Sequence, residues 1–233
     1  MSNSSCLAAV LAAAAVGLAT PAIAAREPAP PLRAQAAPTE LDRFLAHLKT
    51  LDVRFRQTLV DAHGAEISRS SGTLIVERPG RFRWDVHPLG GEAGGAATGA
   101  GQLMVGDGRN VWFYDRDLQQ VTVRPVSAAL SATPAMLLSG AVDVRQHFKE
   151  RPAGRREGLD WVFVEPRDPS GADFRTALFG FEHGTLERMI LEDTLGQVAT
   201  VVFQHVEVNV PVSAKLLSFS PPPGVDVIGT PAR

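Results

Sequence analysis

The chain has 233 residues, of which 45% are hydrophobic and 21% charged, and its formal net charge is −2. These proportions are typical of a soluble globular protein with one large core or two small ones, and they exclude a chain that is disordered throughout. Basic and acidic residues are nearly balanced, at 23 and 25, and form no long run of one sign. The sequence therefore predicts no nucleic-acid binding.

Residues 1–25 are predicted to be a secretory signal peptide. The run at 7–25 is apolar and rich in alanine, and it ends on small residues spaced as a signal-peptidase site requires. A membrane anchor is the alternative, but alanine is only weakly hydrophobic and Pro21 interrupts the run near its end. Residues 1–5 carry no Lys or Arg, which departs from the usual pattern. We expect an exported protein that begins directly after this segment.

The single cysteine, Cys6, precedes the apolar run instead of following it. Processing would therefore leave a chain without a lipidated cysteine, a disulfide or a thiolate metal site. Export without disulfides indicates the periplasm of a bacterium. Residues 26–38 are rich in Pro and Ala and are predicted to be a lead-in to one domain at 39–233.

A short helix is predicted to open this domain, and strands are predicted to follow it. Thr39 has the character of an N-cap, and apolar residues recur at helical spacing at Leu41, Phe44, Leu45, Leu48 and Leu51. From residue 53 the hydrophobic period is two, which predicts strands. These cover 53–59, 73–76, 82–86, 103–105, 111–114, 119–124, 159–164, 174–181, 186–191, 198–208 and 216–219.

The Asp-Gly dipeptide at 107–108 lies between two apolar segments and is a strong hairpin signal. Pairing across it places Leu103 opposite Trp112 and Met104 opposite Val111. Both faces of this hairpin then carry apolar side chains. We expect this part of the sheet to be covered on both sides.

A second helical segment is predicted with Thr133 as N-cap, Pro134 at its first position and Gly140 past its end. Residues 135–138 are apolar all round, which favours a plug or lid over a surface helix. The Gly/Ala-rich stretch 89–101 is predicted to be a flexible hairpin loop. About ten or eleven strands and two helical segments predict a mainly β (α+β) fold, an incomplete antiparallel β-barrel with a helical lid.

The sequence contains neither a nucleophile elbow nor a zinc-protease motif, and its six histidines occur singly. It therefore predicts no enzyme, no metal and no cofactor. A lid over an incomplete barrel encloses a space, and eleven Phe and three Trp residues suit an apolar one. Such a space in an exported protein indicates an apolar ligand.

Two segments carry a family resemblance. Residues 72–84 read GTLIVERPGRFRW, and residues 104–121 read MVGDGRNVWFYDRDLQQV. Supporting matches are Phe55-x-Gln57, the Thr-Pro-x-Met-Leu-Leu run that begins at Thr133, and the Phe-Ser-Pro-Pro-Pro-Gly-Val run that begins at Phe219. In this order the motifs resemble the periplasmic outer-membrane lipoprotein carrier family, LolA, over residues 40–228.

The resemblance implies a carrier that takes a triacylated lipoprotein from an inner-membrane ABC transporter and carries it through the periplasm to an outer-membrane lipoprotein receptor. It implies no cofactor, because the transporter alone would consume ATP. We expect the carrier to be a monomer.

The resemblance also implies that Arg78 closes the empty carrier through hydrogen bonds to carbonyls of the lid, at Leu45, Leu138 and Ser139. Phe82 lies on the same predicted strand face as Trp84, and we expect it at the cavity rim, where the transporter would dock. The apolar faces of the predicted elements give a cavity lining of Phe55, Leu74, Val76, Trp84, Met104, Phe113, Met136 and Leu137.

The alternative function is that of an RseB-like regulatory domain, which has the same fold and senses lipids or exposed peptides. Such proteins carry a second C-terminal domain, whereas this chain ends soon after the Pro-Pro-Pro-Gly run at 221–224. An outer-membrane receptor would need a lipidated cysteine after its signal. An enzyme is a third, more distant alternative.

Overall fold

The computed structural model describes residues 37–90, 99–128, 134–141 and 144–232. The predicted signal peptide, most of the lead-in, residues 91–98 of the predicted loop and the predicted cap Thr133 lie outside the described residues. From Ala37 onward the described residues pack as one compact unit.

Twelve strands in the described part form one sheet in the order β12-β6-β5-β4-β3-β2-β1-β11-β10-β9-β8-β7. Neighbours are antiparallel except β12, which runs parallel to β6. The sheet is open, so the prediction of a mainly β, incomplete barrel is confirmed. The strands are β1 (Thr50–Val60), β2 (Glu66–Glu77), β3 (Arg81–Pro88), β4 (Gln102–Asp107), β5 (Asn110–Asp115), β6 (Gln120–Pro125), β7 (Phe148–Arg156), β8 (Leu159–Pro166), β9 (Phe174–Glu182), β10 (Thr185–Asp193), β11 (Val198–Val208) and β12 (Asp226–Ile228).

Three α-helices lie in the described residues, α1 (Glu40–His47), α2 (Pro134–Ser139) and α3 (Val144–His147). We call α1 and α2 the lid helices. Helix α1 contacts β8, α2 contacts β2 and β3, and α3 contacts β7. Short 3₁₀ turns cover Val126–Ala128, Pro169–Gly171 and Ala214–Leu217.

Helix α1 begins as predicted but ends earlier. The Thr39 Oγ1 accepts a hydrogen bond from the Asp42 amide (3.0 Å), and Asp42 accepts one from the Thr39 amide (3.1 Å), which completes a capping box. Leu48 already has an extended backbone and Leu51 lies in β1. Both are buried all the same, because strand β1 directs Leu51 at the core that the helix faces.

One apolar cluster fills the space between the concave face of the sheet and the lid helices. It joins side chains of β5 and of the edge strand β7, which lie far apart in the strand order, so the sheet wraps around it. The residues of α2 from 135 to 139 are 0% exposed. Helix α2 is therefore a plug in the core, as its sequence predicts.

The β4–β5 hairpin has a different register from the one predicted. Its turn consists of Gly108 and Arg109, because the Asp107 side chain accepts hydrogen bonds from the amides of Arg109 (2.8 Å) and Asn110 (2.7 Å). The correction shifts each partner by two residues, so every side chain keeps its predicted face. The observed pairs are Leu103 with Tyr114, Met104 with Phe113, Val105 with Trp112 and Gly106 with Val111.

The prediction of a strand at 216–219 is wrong, because Ala214–Leu217 forms a 3₁₀ turn. Its Leu217 is fully buried. The Phe219 ring lies 5.7 Å from the Trp112 ring and 6.1 Å from the Tyr114 ring, between centroids. This C-terminal segment covers the outer face of β3 to β5. On the other face of the hairpin, Met104 and Phe113 line an open pocket, so the prediction of cover on both faces holds for the outer face only.

Two strands, β7 and β12, were not predicted. Strand β7 carries Lys149, Arg151 and Pro152, residues that keep an edge strand from pairing with other chains but hide the alternating pattern. Strand β12 has three residues and lies at the opposite edge. Its pairing depends on the fold of the preceding chain, so its own sequence carries no signal.

Candidate functional site

The eight predicted cavity residues divide into two groups. Trp84, Met104 and Phe113 line a pocket of about 510 Å³ on the concave face. The other five are at most 1% exposed and belong to the closed core beneath the lid helices: Phe55, Leu74, Val76, Met136 and Leu137. The structure thus places an accessible apolar pocket next to an apolar interior that the lid helices fill.

Polar side chains surround the apolar base of this pocket. Strands β1, β4 and β6 contribute Gln57, Gln102 and Gln120. Leu118, in the turn between β5 and β6, also lines the pocket and is 71% exposed. An apolar chain could lie on the base while a polar group attached to it stayed near the amide side chains.

Two glycines within strands make room for aromatic rings in the core. A Cβ on Gly72 would clash with the backbone carbonyl of Asp85 and come within 2.6 Å of the Phe55 ring, and one on Gly106 would clash with the Phe82 ring. The space over Gly72 lets Phe55 reach across β2 to Trp84, with ring centroids 5.4 Å apart. Glycine in a strand interior is unfavourable unless such a close approach requires it.

Arg78 holds the end of α1. Its Nη1 donates a hydrogen bond of 2.9 Å to the carbonyl of Leu45. The Asn209 side chain donates to the carbonyl of His47 (3.0 Å). Carbonyls in the last turn of a helix have no partner within the helix, so these two side chains supply what the helix lacks. A cation at this end also interacts favourably with the helix dipole.

The turn between β2 and β3, which contains Arg78 and Gly80, also holds the end of α2. The amide of Gly80 donates to the carbonyl of Ser139 (2.8 Å). Gly140, directly after the helix, has a φ of 67° and lies against the Arg78 guanidinium. We call these contacts of Arg78 and Gly80 with Leu45, Ser139 and Gly140 the helix-end junction.

Arg78 is half-buried, and this burial lowers the pKa of its guanidinium from the ordinary value. Burying a cation is unfavourable, so the Leu45 carbonyl offsets part of a real desolvation cost.

The junction differs in detail from the predicted one. Among the described residues, the Arg78 side chain makes a single hydrogen bond, to Leu45, and none to Leu138 or Ser139. The Ser139 carbonyl is instead bound by the Gly80 amide. Gly80 directly follows the Arg-Pro step that carries part of the family resemblance. The sequence could not predict this bond, because a backbone amide donor has no side-chain signature.

Phe82 does not lie at an accessible rim. Its side chain is 0% exposed and packs on Gly106 inside the core. The predicted position of Phe82 at the cavity rim is therefore wrong, and its docking role stays a prediction. Alternation placed Phe82 on the correct face, but it could not show that α2 covers that face near the turn.

Within the described ranges, no group of three or more His, Cys, Asp or Glu side chains is arranged to hold a metal ion. No helix among the described residues is both long and apolar enough to cross a bilayer.

Comparison with known proteins identifies the family of this chain. The family model "Outer membrane lipoprotein carrier protein LolA" matches residues 46–220. An outer-membrane lipoprotein carrier protein of Dechloromonas aromatica (strain RCB) is 38% identical over 201 residues, 85% of this chain and 91% of the relative. One from Nitrosospira multiformis is 39% identical over 189 residues, 81% of this chain and 86% of the relative.

A crystal structure of a LolA superfamily protein from Nitrosomonas europaea matches with a TM-score of 0.42 and 12% identity, covering 77% of this chain and 96% of that one. The family model and the two sequence relatives each span most of the chain. This protein therefore belongs to the LolA family of outer-membrane lipoprotein carrier proteins.

Proposed function

We propose that this protein is a periplasmic carrier that shields the acyl chains of triacylated lipoproteins. It receives them from an inner-membrane ABC transporter and delivers them to an outer-membrane lipoprotein receptor. The observation that carries the proposal is the apolar concave face. Part of it is open as a pocket, and part is filled by two lid helices whose C-terminal ends are held by one turn. Family membership supports the same function.

Physical chemistry requires such a shield. An acyl chain in water costs about 0.8 kcal/mol for each exposed methylene, so an unescorted lipoprotein would not cross an aqueous compartment at a useful rate. The carrier must also release its cargo. A lid that closes over the empty cavity competes with the cargo for the same apolar face, and this competition keeps binding reversible.

The helix-end junction sets the strength of that competition. A hydrogen bond from a charged group contributes about 1.5–3 kcal/mol net when well made, and Arg78 lies at the lower end because it is only half-buried. Loss of about 1.4 kcal/mol changes a two-state equilibrium tenfold. The carrier acts in this scheme as a monomer, without a cofactor and without hydrolysing ATP.

Reconstitution tests the proposal directly. The purified mature protein is mixed with membrane vesicles that hold acylated lipoproteins and their ABC transporter. We expect ATP to yield a soluble one-to-one complex, and vesicles without ATP to yield none. If no soluble complex forms while the protein still binds lipid or exposed peptide, the RseB-like sensor function replaces the carrier function.

A further inference from the structure

A second contact network holds the opposite end of α1 from the helix-end junction. Arg145, on α3, donates to both carboxylate oxygens of Asp42 (3.0 and 3.3 Å). The carboxyl group of Glu150, on β7, lies within hydrogen-bond reach of Asp42 and of the Thr39 side chain. Thr39 and Asp42 are the two residues of the α1 capping box. The network thus joins the start of a lid helix to an edge strand.

The ionised form of Glu150 is unfavourable at this position. Its Oε2 is buried and has no hydrogen-bond donor within the described part of the chain. The neighbouring carboxylate of Asp42 would repel it, and a buried charged oxygen without a donor is costly. A protonated Glu150 instead donates a hydrogen bond to Asp42, which removes the repulsion.

We propose that a proton shared between Glu150 and Asp42 is a second fastening of α1, which holds the lid helix closed when Glu150 is protonated and loosens it when Glu150 ionises. This inference concerns the movement of α1 alone and holds whatever cargo the cavity takes. It makes lid opening dependent on pH, whereas the Arg78 contact stays in place over the same range, since arginine remains charged.

The surroundings of the pair favour a protonated Glu150 beside an ionised Asp42. Burial, followed by the hydrogen bond and the charge of Asp42, raises the pKa of Glu150 to about 7 against the opposing effects of Arg145 and Thr39. Burial also opposes the ionisation of Asp42, but hydrogen bonds from Arg145, Glu150 and the Thr39 amide outweigh it, so the pKa of Asp42 is lowered. The pair therefore divides into one acid and one carboxylate.

Other titratable and charged groups lie on the elements packed against the pair. On α1, Arg43 is bound to Glu40, and His47 ends the helix. On the neighbouring elements, His147 lies on α3, and Lys149 of β7 forms an ion pair with Glu165 of β8. Arg167 donates to the carbonyl of Arg145, and Arg78 lines the same cleft as Asp42. The test therefore includes a variant that lacks both histidines.

The sign follows from the raised pKa. The closed form binds the Glu150 proton more tightly than an open form in which Glu150 is solvated. Protonated Glu150 therefore stabilises the closed form relative to the open form, and this stabilisation is complete below about pH 4.5. It is lost as the pH rises through about 7. Between pH 6 and 8 a single carboxyl of this kind shifts the opening equilibrium by about tenfold at most.

Hydrogen–deuterium exchange of the mature protein measures the opening of α1, after correction for the intrinsic pH dependence of exchange. We expect α1 to open three- to tenfold more often at pH 8 than at pH 6. Glu150→Gln should abolish this dependence, because its amide donates to Asp42 at every pH. The matched control Glu165→Gln removes an exposed carboxylate nearby and should leave the dependence unchanged.

Two further variants keep the proposal falsifiable if Glu150→Gln does not fold. Asp42→Asn retains the acceptor for the Thr39 amide but gives Glu150 a donor, so the transition should move below pH 6. A double variant, His47→Gln with His147→Gln, should keep the wild-type transition. Loss of the transition in the histidine variant, an unchanged transition in Asp42→Asn, or a wild-type protein with no transition would overturn the proposal.

Discussion

The guanidinium of Arg78 lies so close to the α-carbon of Gly140 that a Cβ there would come within 2.6 Å of Nε. The residue that ends α2 therefore leaves space for the side chain that caps α1. Gly140 must also have a positive φ, which an L side chain adopts at a cost. Both lid helices thus depend on one small volume beside the β2–β3 turn.

Replacing Arg78 by Leu should loosen the lid and slow release. The Leu45 carbonyl loses its donor, and the closed empty form loses about 1–2 kcal/mol relative to the loaded form. Loading by the transporter should persist, while transfer to the outer-membrane receptor slows about tenfold. The transfer assay with labelled lipoprotein measures both steps.

Arg81→Leu is the matched control for this variant. Arg81 follows the same turn but binds Glu77 on the sheet, away from the lid helices. It should load and transfer as the wild type does. Transfer by Arg78→Leu at the wild-type rate would show that the helix-end junction does not govern release.

Gly140→Ala should reproduce the effect of Arg78→Leu without removing the arginine. The added methyl group displaces the guanidinium, and the positive φ adds a cost of about 1 kcal/mol. Gly64 also has a positive φ, but a methyl group added there would have no neighbouring atom within 4 Å, so Gly64→Ala isolates the backbone cost.

The readouts are the denaturation midpoint and the transfer rate. Gly140→Ala should slow transfer, whereas Gly64→Ala should lower stability slightly and leave transfer unchanged. Combining Gly140→Ala with Arg78→Leu should add little to the transfer defect, since both changes break one contact. Fully additive defects would mean that Gly140 acts elsewhere.

Phe82→Glu should destabilise the fold by several kcal/mol, because it places a carboxylate in a core position that is 0% exposed. A loss of loading in this variant is therefore expected, with a marked fall in the midpoint of thermal unfolding. Phe82→Leu keeps an apolar side chain and should load well. Loading that fails in Phe82→Leu while its unfolding midpoint stays near wild type would instead support a docking role.

Met104→Glu combined with Phe113→Glu should abolish binding of an apolar fluorescent probe. The two residues are cross-strand partners that line the pocket, and both are only partly buried, so the fold should survive. Val202→Glu, on the outer face of β11 at 37% exposure, is the control and should bind the probe normally. Retained probe binding in a folded double variant would place the apolar site elsewhere.

Asp107 should stabilise the β4–β5 hairpin above about pH 4 and lose that effect in acid. Burial opposes its ionisation, but hydrogen bonds from the Trp112 indole (2.8 Å) and from the amides of Asn110 and Arg109 outweigh it, so the pKa of Asp107 is lowered. A lowered pKa means that stability falls as the pH drops below 3.8 and through the folded value.

NMR of the Trp112 indole N–H, assigned with Trp112→Phe, should show its signal move over this acid range. Asp107→Asn keeps an acceptor for the indole but removes the titrating group. Its stability should therefore depend less on pH in acid. An equal acid dependence in both proteins would assign the effect to other carboxylates.

The hydrophobic pattern by itself determined most of the sheet. Alternation placed Trp84 and Met104 on the concave face, and this holds even where the β4–β5 register was wrong, because a shift of two residues preserves the face. The apolar run at 135–138 identified the plug helix for the same reason. Local patterns report which face is buried, since burial is what they encode.

Only the tertiary structure decided how these faces are used. The sequence could not show that Gly80 offers its amide to Ser139, or that Glu150 meets Asp42 from a distant part of the chain. It also could not show that α2 buries Phe82. Hydrogen bonds between distant elements and the depth of a core position depend on how the sheet curves and where the helices dock. That geometry arises from the packing of the whole domain, and no local segment contains it.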